Sequence, residues 1–132
     1  AMIAKIELAK KRKKKKVKLL GTGKPLREFI HSDDLASAIY LCLKTKNRYL
    51  KKIFNSNLPI LNVGTKQEIS IKKLSKLIAK YINFNGKIVF DKNSPDGTYK
   101  KNLDSTKIRN LGWTPKIDFK EGLKKVILNR KN

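Results

Sequence analysis

Arg27 stands in the stretch GTGKPLREFIHSDDLA, residues 21–36, and carries the side chain with the clearest chemical purpose there. Its guanidinium offers five donors in a planar fork, a geometry that matches phosphate or carboxylate oxygens. Gly21 and Gly23 tolerate positive φ, so the connector ahead of Arg27 can turn tightly. Pro25 biases Lys24 towards extended backbone, and Leu26–Ile30 reads as a short strand. Ser32 is placed to cap the following helix, with Asp33 and Asp34 against its positive end. Two readings of Arg27 follow. It either faces a phosphate, or it pairs with a nearby acid such as Glu28 while the glycines only turn the chain.

His31 and Cys42 are the other groups that could do chemistry. His31 lies at the junction of strand and helix, where it either bonds across the junction or lines a pocket. One cysteine and one histidine cannot build a metal cluster, and a lone cysteine cannot close an intramolecular disulfide. Cys42 falls on a helix over Leu35–Lys44, sharing a face with Leu35, Ala38 and Ile39. A buried free thiol is expected there, which suits a reducing cytoplasm.

Charge sets the next bound. The 132 residues hold 33 Lys and Arg against 10 Asp and Glu, a formal net charge of +23. Such a surface concentrates polyanions around it. The excess is densest at Lys10–Lys16, KKRKKKK, with Lys18 just beyond, and residues 10–18 read as a solvated basic loop. No aromatic interleaves with the run, and no zinc-finger spacing or RNA-binding signature accompanies it. Salt-dependent, non-specific attraction to nucleic acid is therefore expected, and specific recognition is not. No apolar run reaches the length of a membrane span.

A chain of this length makes one domain, and its elements alternate between helix and strand. Ala1–Lys11 reads as a helix and Val17–Leu20 as a strand. Thr45–Asn57 reads as a polar, basic connection, and Ile60–Val63 as a buried strand ended by Gly64. Ser70 caps a helix whose stripe is Ile71, Leu74, Leu77, Ile78, Tyr81 and Ile82, with Lys72, Lys73, Lys76 and Lys80 on the wet side. Lys87–Phe90 is a strand after Gly86. Asp104 or Ser105 caps a short helix stopped by Gly112, and Trp113 is a core anchor. Asp118 and Glu121 form a capping-box pair for a last helix that buries Leu123, Val126 and Ile127.

Four blocks in order resemble the GDP-L-fucose synthases, extended short-chain dehydrogenase/reductases of the NAD-dependent epimerase/dehydratase superfamily. They are the LREFIH segment, LNVGTKQEIS from Leu61, SPDGTYKKNLDSTKI from Ser94 and LGWTPKIDFKEGL from Leu111. The N-terminal AMIAKIELAKK resembles the family's helix ahead of them. The implied fold is α/β, the small substrate-binding portion of such an enzyme lacking most of the Rossmann domain, with residues 1–132 as one carboxy-terminal, substrate-side domain. The resemblance implies four substrate-binding residues. Lys5 falls at a basic position of the first helix, Arg27 at the family's arginine, Asp96 in the P-D-G turn, and Lys101 at the basic position after it. Lys5, Arg27 and Lys101 would surround the GDP diphosphate, and Asp96 would accept from ribose or base. Read from the residues alone, Lys5 and Lys101 are equally ordinary solvated lysines, and Asp96 a turn-closing aspartate. Leu20 stands where family members can carry a substrate-contacting tryptophan, and Tyr99 where a proline often follows P-D-G-T.

The family's complete enzyme epimerises GDP-4-keto-6-deoxy-D-mannose at C3 and C5 and reduces C4 with NADPH, giving GDP-L-fucose. Its partners, by the same resemblance, are the GDP-sugar, the missing Rossmann domain and a second subunit of a cytoplasmic homodimer. No G-x-x-G-x-x-G turn follows an N-terminal strand, and Gly21-Thr22-Gly23 leads to a strand instead of a helix. Tyr49 and Tyr81 lack the lysine four positions on that the family's proton-transfer pair needs. NADP(H) is expected to bind the complete enzyme and not this chain alone, which is expected to be catalytically inactive. Another nucleotide-sugar epimerase or dehydratase, and a basic nucleic-acid-binding protein, are the alternatives.

Overall fold

The computed structural model describes residues 1–54 and 59–130. It is of the α/β class expected, and its backbone separates into two compact units. The first comprises Ala1–Arg27, Glu68–Lys101 and the chain from Lys120; the second comprises Glu28–Gln67 and Asn102–Phe119.

In the first unit, α1 (Met2–Lys11) packs against β1 (Lys16–Leu20) and against α4 (Ile71–Ile82). β1 pairs in parallel with β4 (Lys87–Asp91), from Lys16 beside Lys87 to Leu20 beside Asp91. Parallel neighbours need a crossover, which here includes α4. Ser70 Oγ accepts from the Lys73 amide at 3.1 Å, so the cap foreseen for α4 is made. Leu74, Ile78 and Ile82 are buried beneath it, Lys72, Lys73, Lys76 and Lys80 are exposed, and Asn83 ends the helix in the left-handed region. Ile6, Ala9, Val17, Leu19, Phe84 and Ile127 are the other buried apolar side chains of this unit's frame. In the last helix, α6 (Phe119–Asn129), Val126 is exposed although its spacing suggested the core.

The basic run is less a loop than its charge implied. Lys10 and Lys11 close α1, Lys16 and Lys18 stand on β1, and only residues 12–15 connect them. β1 alternates exposed lysine with buried Val17 and Leu19, so the strand keeps its charges in water while burying its apolar side. Lys10 Nζ also donates to the Ile82 carbonyl at 2.7 Å, satisfying a helix-end acceptor of α4.

The second unit contains α2 (Ser32–Lys44), α3 (Asn47–Ile53) and α5 (Thr106–Asn110). Its core is Ala38, Ile108 and Trp113, with Ile30, Leu41, Cys42 and Val63 packed around them. Cys42 is free and half-buried. Three expectations change here. The cap of α2 is His31, whose Nδ1 accepts from the Asp33 amide at 3.2 Å, leaving Ser32 as the first helical residue. The buried face of α2 is turned away from the one its apolar spacing suggested, so Leu35 and Ile39 are exposed. Asp34 causes the turn: 3 % exposed, it accepts from the Lys116 and Ile117 amides at 2.9 and 3.1 Å. Ser37 Oγ adds to it by accepting from the Trp113 indole at 2.8 Å.

The third change concerns Ile60–Val63, which forms no strand; Ile60 is exposed and Val63 packs on the core cluster without a ladder. The Thr45–Asn57 connection in turn contains α3, and its residues 55–57 lie outside the described residues. For α5, Asp104 Oδ1 accepts from the Thr106 amide at 3.0 Å and from its hydroxyl, while Ser105 makes no capping bond.

Candidate functional site

A three-stranded sheet in the order β3 (Glu68–Ser70), β2 (Leu26–Glu28), β5 (Lys100–Lys101) positions the site. β2 and β5 run parallel, with Leu26 beside Lys100 and Arg27 beside Lys101. Neighbouring strands lie about 4.8 Å apart, and residues in register share a face of the sheet. Two of the four residues expected to bind substrate are thus brought side by side. Lys100, one position earlier, reaches Glu68 at 2.9 Å.

Arg27 does not pair with Glu28. Glu28 accepts from the Lys66 amide at 2.6 Å and the Leu103 amide at 3.1 Å. Arg27 Nη1 donates to the Leu26 carbonyl at 2.6 Å, which holds the half-buried fork close to its own strand. A Cβ at Gly97 would stand 3.6 Å from Arg27 Nη2, so the glycine of the SPDGT turn lies directly at the guanidinium.

Asp96 bonds to the glycine connector. Its Oδ1 accepts from the Thr22 amide at 2.7 Å, and its Oδ2 accepts from the Thr22 hydroxyl. Both oxygens therefore tie the 94–98 turn to the glycine connector. The Thr22 bonds hold its carboxyl below the usual carboxylate range, with Lys24 and Arg27 adding attraction and partial desolvation opposing. The same clamp explains Gly21: at φ +78° a Cβ there would collide with the Asp96 carboxylate. Gly23, at φ +75°, would collide with the Phe90 ring.

Lys5 is exposed on α1, and among the described residues it makes no bond to Arg27, Asp96 or Lys101. Leu20, just before the connector, is exposed. Thr22 is the residue that sequence reasoning missed; only its place between two glycines marked it. The sequence reading also passed over a Tyr-x-x-x-Lys spacing at Tyr40 and Lys44. On α2 the Lys44 ammonium lies over the Tyr40 ring, 5.2 Å from its centre, so the lysine engages the ring face.

Comparison with known proteins agrees with the residues. The model of the NAD dependent epimerase/dehydratase family matches residues 1–56. The chain is 42 % identical over 123 residues to probable GDP-L-fucose synthase 1 of Oryza sativa subsp. japonica, covering 93 % of this chain and 35 % of that protein. The chain belongs to the NAD-dependent epimerase/dehydratase family.

Two solved structures extend the likeness. A GDP-mannoheptose C4 reductase from Campylobacter jejuni with NADP bound superposes with a TM-score of 0.80 at 33 % identity, covering 99 % of this chain and 43 % of that one. A GDP-L-fucose synthetase from Naegleria fowleri bound to NADP superposes with a TM-score of 0.79 at 27 % identity, covering 96 % and 37 %. The chain spans about a third of the length of the curated relatives it matches. Among the described residues no helix is long and apolar enough to cross a membrane, and no cluster of His, Cys, Asp and Glu could hold a metal ion.

Proposed function

We propose that this chain forms the GDP-sugar-binding part of a GDP-L-fucose synthase, an enzyme converting GDP-4-keto-6-deoxy-D-mannose to GDP-L-fucose by 3,5-epimerisation and NADPH-dependent reduction at C4. The observation that carries this reading is the Arg27–Lys101 register pair. Two cations side by side on one sheet face repel unless an anion joins them. The nearby Asp96 carboxylate, bonded to Thr22, sets one negative charge against the two cations. A diphosphate fits the remaining demand: the Arg27 fork binds two of its oxygens and the Lys101 ammonium balances its second charge.

Asp96 sets the turn beside Arg27 through its Thr22 bonds, and its remaining lone pairs accept from ribose or base. Lys5, exposed on the first helix, is a third source of positive charge. NADP would supply hydride to C4 in the complete enzyme. The residues here do not fit the dinucleotide, because Gly21 and Gly23 close onto Asp96 and Phe90 and the connector runs into β2, not a helix. The chain alone accordingly binds nucleotide sugar without turning it over. The Rossmann domain and a second subunit are the partners that go with this reading.

Calorimetric titration of GDP and UDP into the chain tests it. Saturable GDP binding, tighter than UDP and weakened by Arg27→Ala, is expected. Equal affinity for the two would favour another nucleotide-sugar enzyme. NADPH oxidation with the ketosugar nucleotide, proportional to chain concentration through further purification, would overturn the expectation of inactivity.

A further inference from the structure

The second unit carries a cavity of about 530 Å³ where the end of α2 meets α3 and the end of α5. Four cationic side chains, Lys44, Lys46, Arg48 and Lys52, line it together with Tyr49 and Asn110. Among the described residues no carboxylate lines it, and none of the four has an acidic partner. Two of the cations are oriented by aromatic rings. Arg48 stacks over Tyr49 at 4.9 Å and donates to its hydroxyl at 3.1 Å, while Lys44 lies over Tyr40.

A concave site lined by one sign of charge focuses its field and raises the local concentration of counter-ions. Its volume falls in the range of small-molecule pockets, about 300–1,000 Å³. Scattered surface lysines would instead point apart into solvent. Ile53 and Leu111 give the same cavity an apolar wall that phosphate alone would not use. A ligand with adjacent phosphates and a ring system satisfies both features. We propose that this cavity binds a small polyphosphate-bearing ligand of the nucleoside di- or triphosphate class. It is separate from the GDP-sugar reading of Arg27 and Lys101 and stands without it.

The test is calorimetric titration of ATP, inorganic triphosphate and a short single-stranded RNA into the 132-residue chain. Measurements at about 0.15 M salt keep distant surface charges screened. Saturable ATP binding is expected, weakened at least about tenfold by Lys44→Gln with Lys52→Gln. Lys13→Gln with Lys14→Gln, in the basic connector, should change it less than about twofold because those charges line no cavity. Arg48→Lys keeps the charge but loses the fork, so a clear loss is expected there too. These side chains are exposed, and circular dichroism checks that each variant folds. Triphosphate binding as tightly as ATP would overturn the nucleoside assignment, since the apolar wall would then contribute nothing. Absence of saturable nucleotide binding, equal losses from both lysine pairs, or sensitivity to Arg27→Ala in place of Lys44 and Lys52 would each overturn the proposal. Binding of RNA alone would overturn it as well.

Discussion

Thr22 grips Asp96 with two groups at once: its amide donates to Oδ1 at 2.7 Å while its hydroxyl donates to Oδ2. The bonds favour the ionised carboxylate, and their sign fixes a pH dependence. A carboxyl held below its unfolded value of 3.8 stabilises the fold above that pH. That contribution is lost as pH falls through the lower, folded value. Denaturant unfolding of wild type and Asp96→Asn should therefore differ most near neutrality, and the gap should narrow below about pH 4. Asp91 and Asp104 are shifted the same way, so both proteins retain some acid sensitivity. A gap unchanged with pH would mean that Asp96 contributes nothing through its charge.

Asp34 should be among the costliest polar residues to lose. It is buried on α2 and receives the amides of Lys116 and Ile117, so Asp34→Ala strands two donors. A loss of about 1–3 kcal/mol in total is expected for these part-buried amides, read as a lower denaturation midpoint. Asp34→Asn keeps one acceptor oxygen and should cost less. Equal destabilisation by the two would show that charge, and not the acceptor pair, carries the effect.

Glu28 and Gly64 should fail together. A Cβ at Gly64 would lie 2.6 Å from Glu28 Oε1, the same oxygen that accepts from the Lys66 amide. Gly64→Ala must push the carboxylate aside and so break the bond that Glu28→Ala removes outright. The Lys66 and Leu103 amides are solvent-accessible and can turn to water, which holds the cost of Glu28→Ala to about 1 kcal/mol. The double variant should then be clearly less unstable than the sum of the singles. Simple additivity would show that Gly64 is required for some other reason.

What the sequence made legible was chiefly local. The Ser70 cap and the lysine face of α4 rest on positions three or four apart, which a helix brings together wherever it sits. The face of α2 was misread because two hydrogen-bonded side chains, Asp34 and Ser37, outweighed the apolar spacing of Leu35 and Ile39. His31 displaced Ser32 as cap because an imidazole nitrogen accepts as well as a hydroxyl does. Ile60–Val63 has strand-like residues, but a strand also needs a neighbour, and no composition encodes one. At the site, resemblance implied that Lys5, Arg27 and Lys101 surround one diphosphate, without saying how the chain brings them there. The adjacency of Arg27 and Lys101 comes from parallel pairing of distant segments, and the use of Asp96 by Thr22 is a long-range contact of the same kind.

That adjacency makes the sharpest prediction. Arg27→Ala should weaken GDP binding by roughly 10- to 150-fold, the equivalent of about 1.5–3 kcal/mol for a charge-assisted contact. Arg27→Lys keeps the charge but loses the fork, so an intermediate loss is expected. Lys101→Ala should cost less than Arg27→Ala, since a single ammonium makes no bidentate contact. If both cations hold one diphosphate, their effects are coupled, and the Arg27→Ala, Lys101→Ala double variant should depart from additivity by about 0.5 kcal/mol or more. Titrating GDP into the four proteins, with circular dichroism confirming each fold, measures that coupling directly. Unchanged affinity in folded Arg27→Ala would assign the arginine to its own strand, where it already bonds the Leu26 carbonyl, and leave Lys101 to meet the phosphate alone.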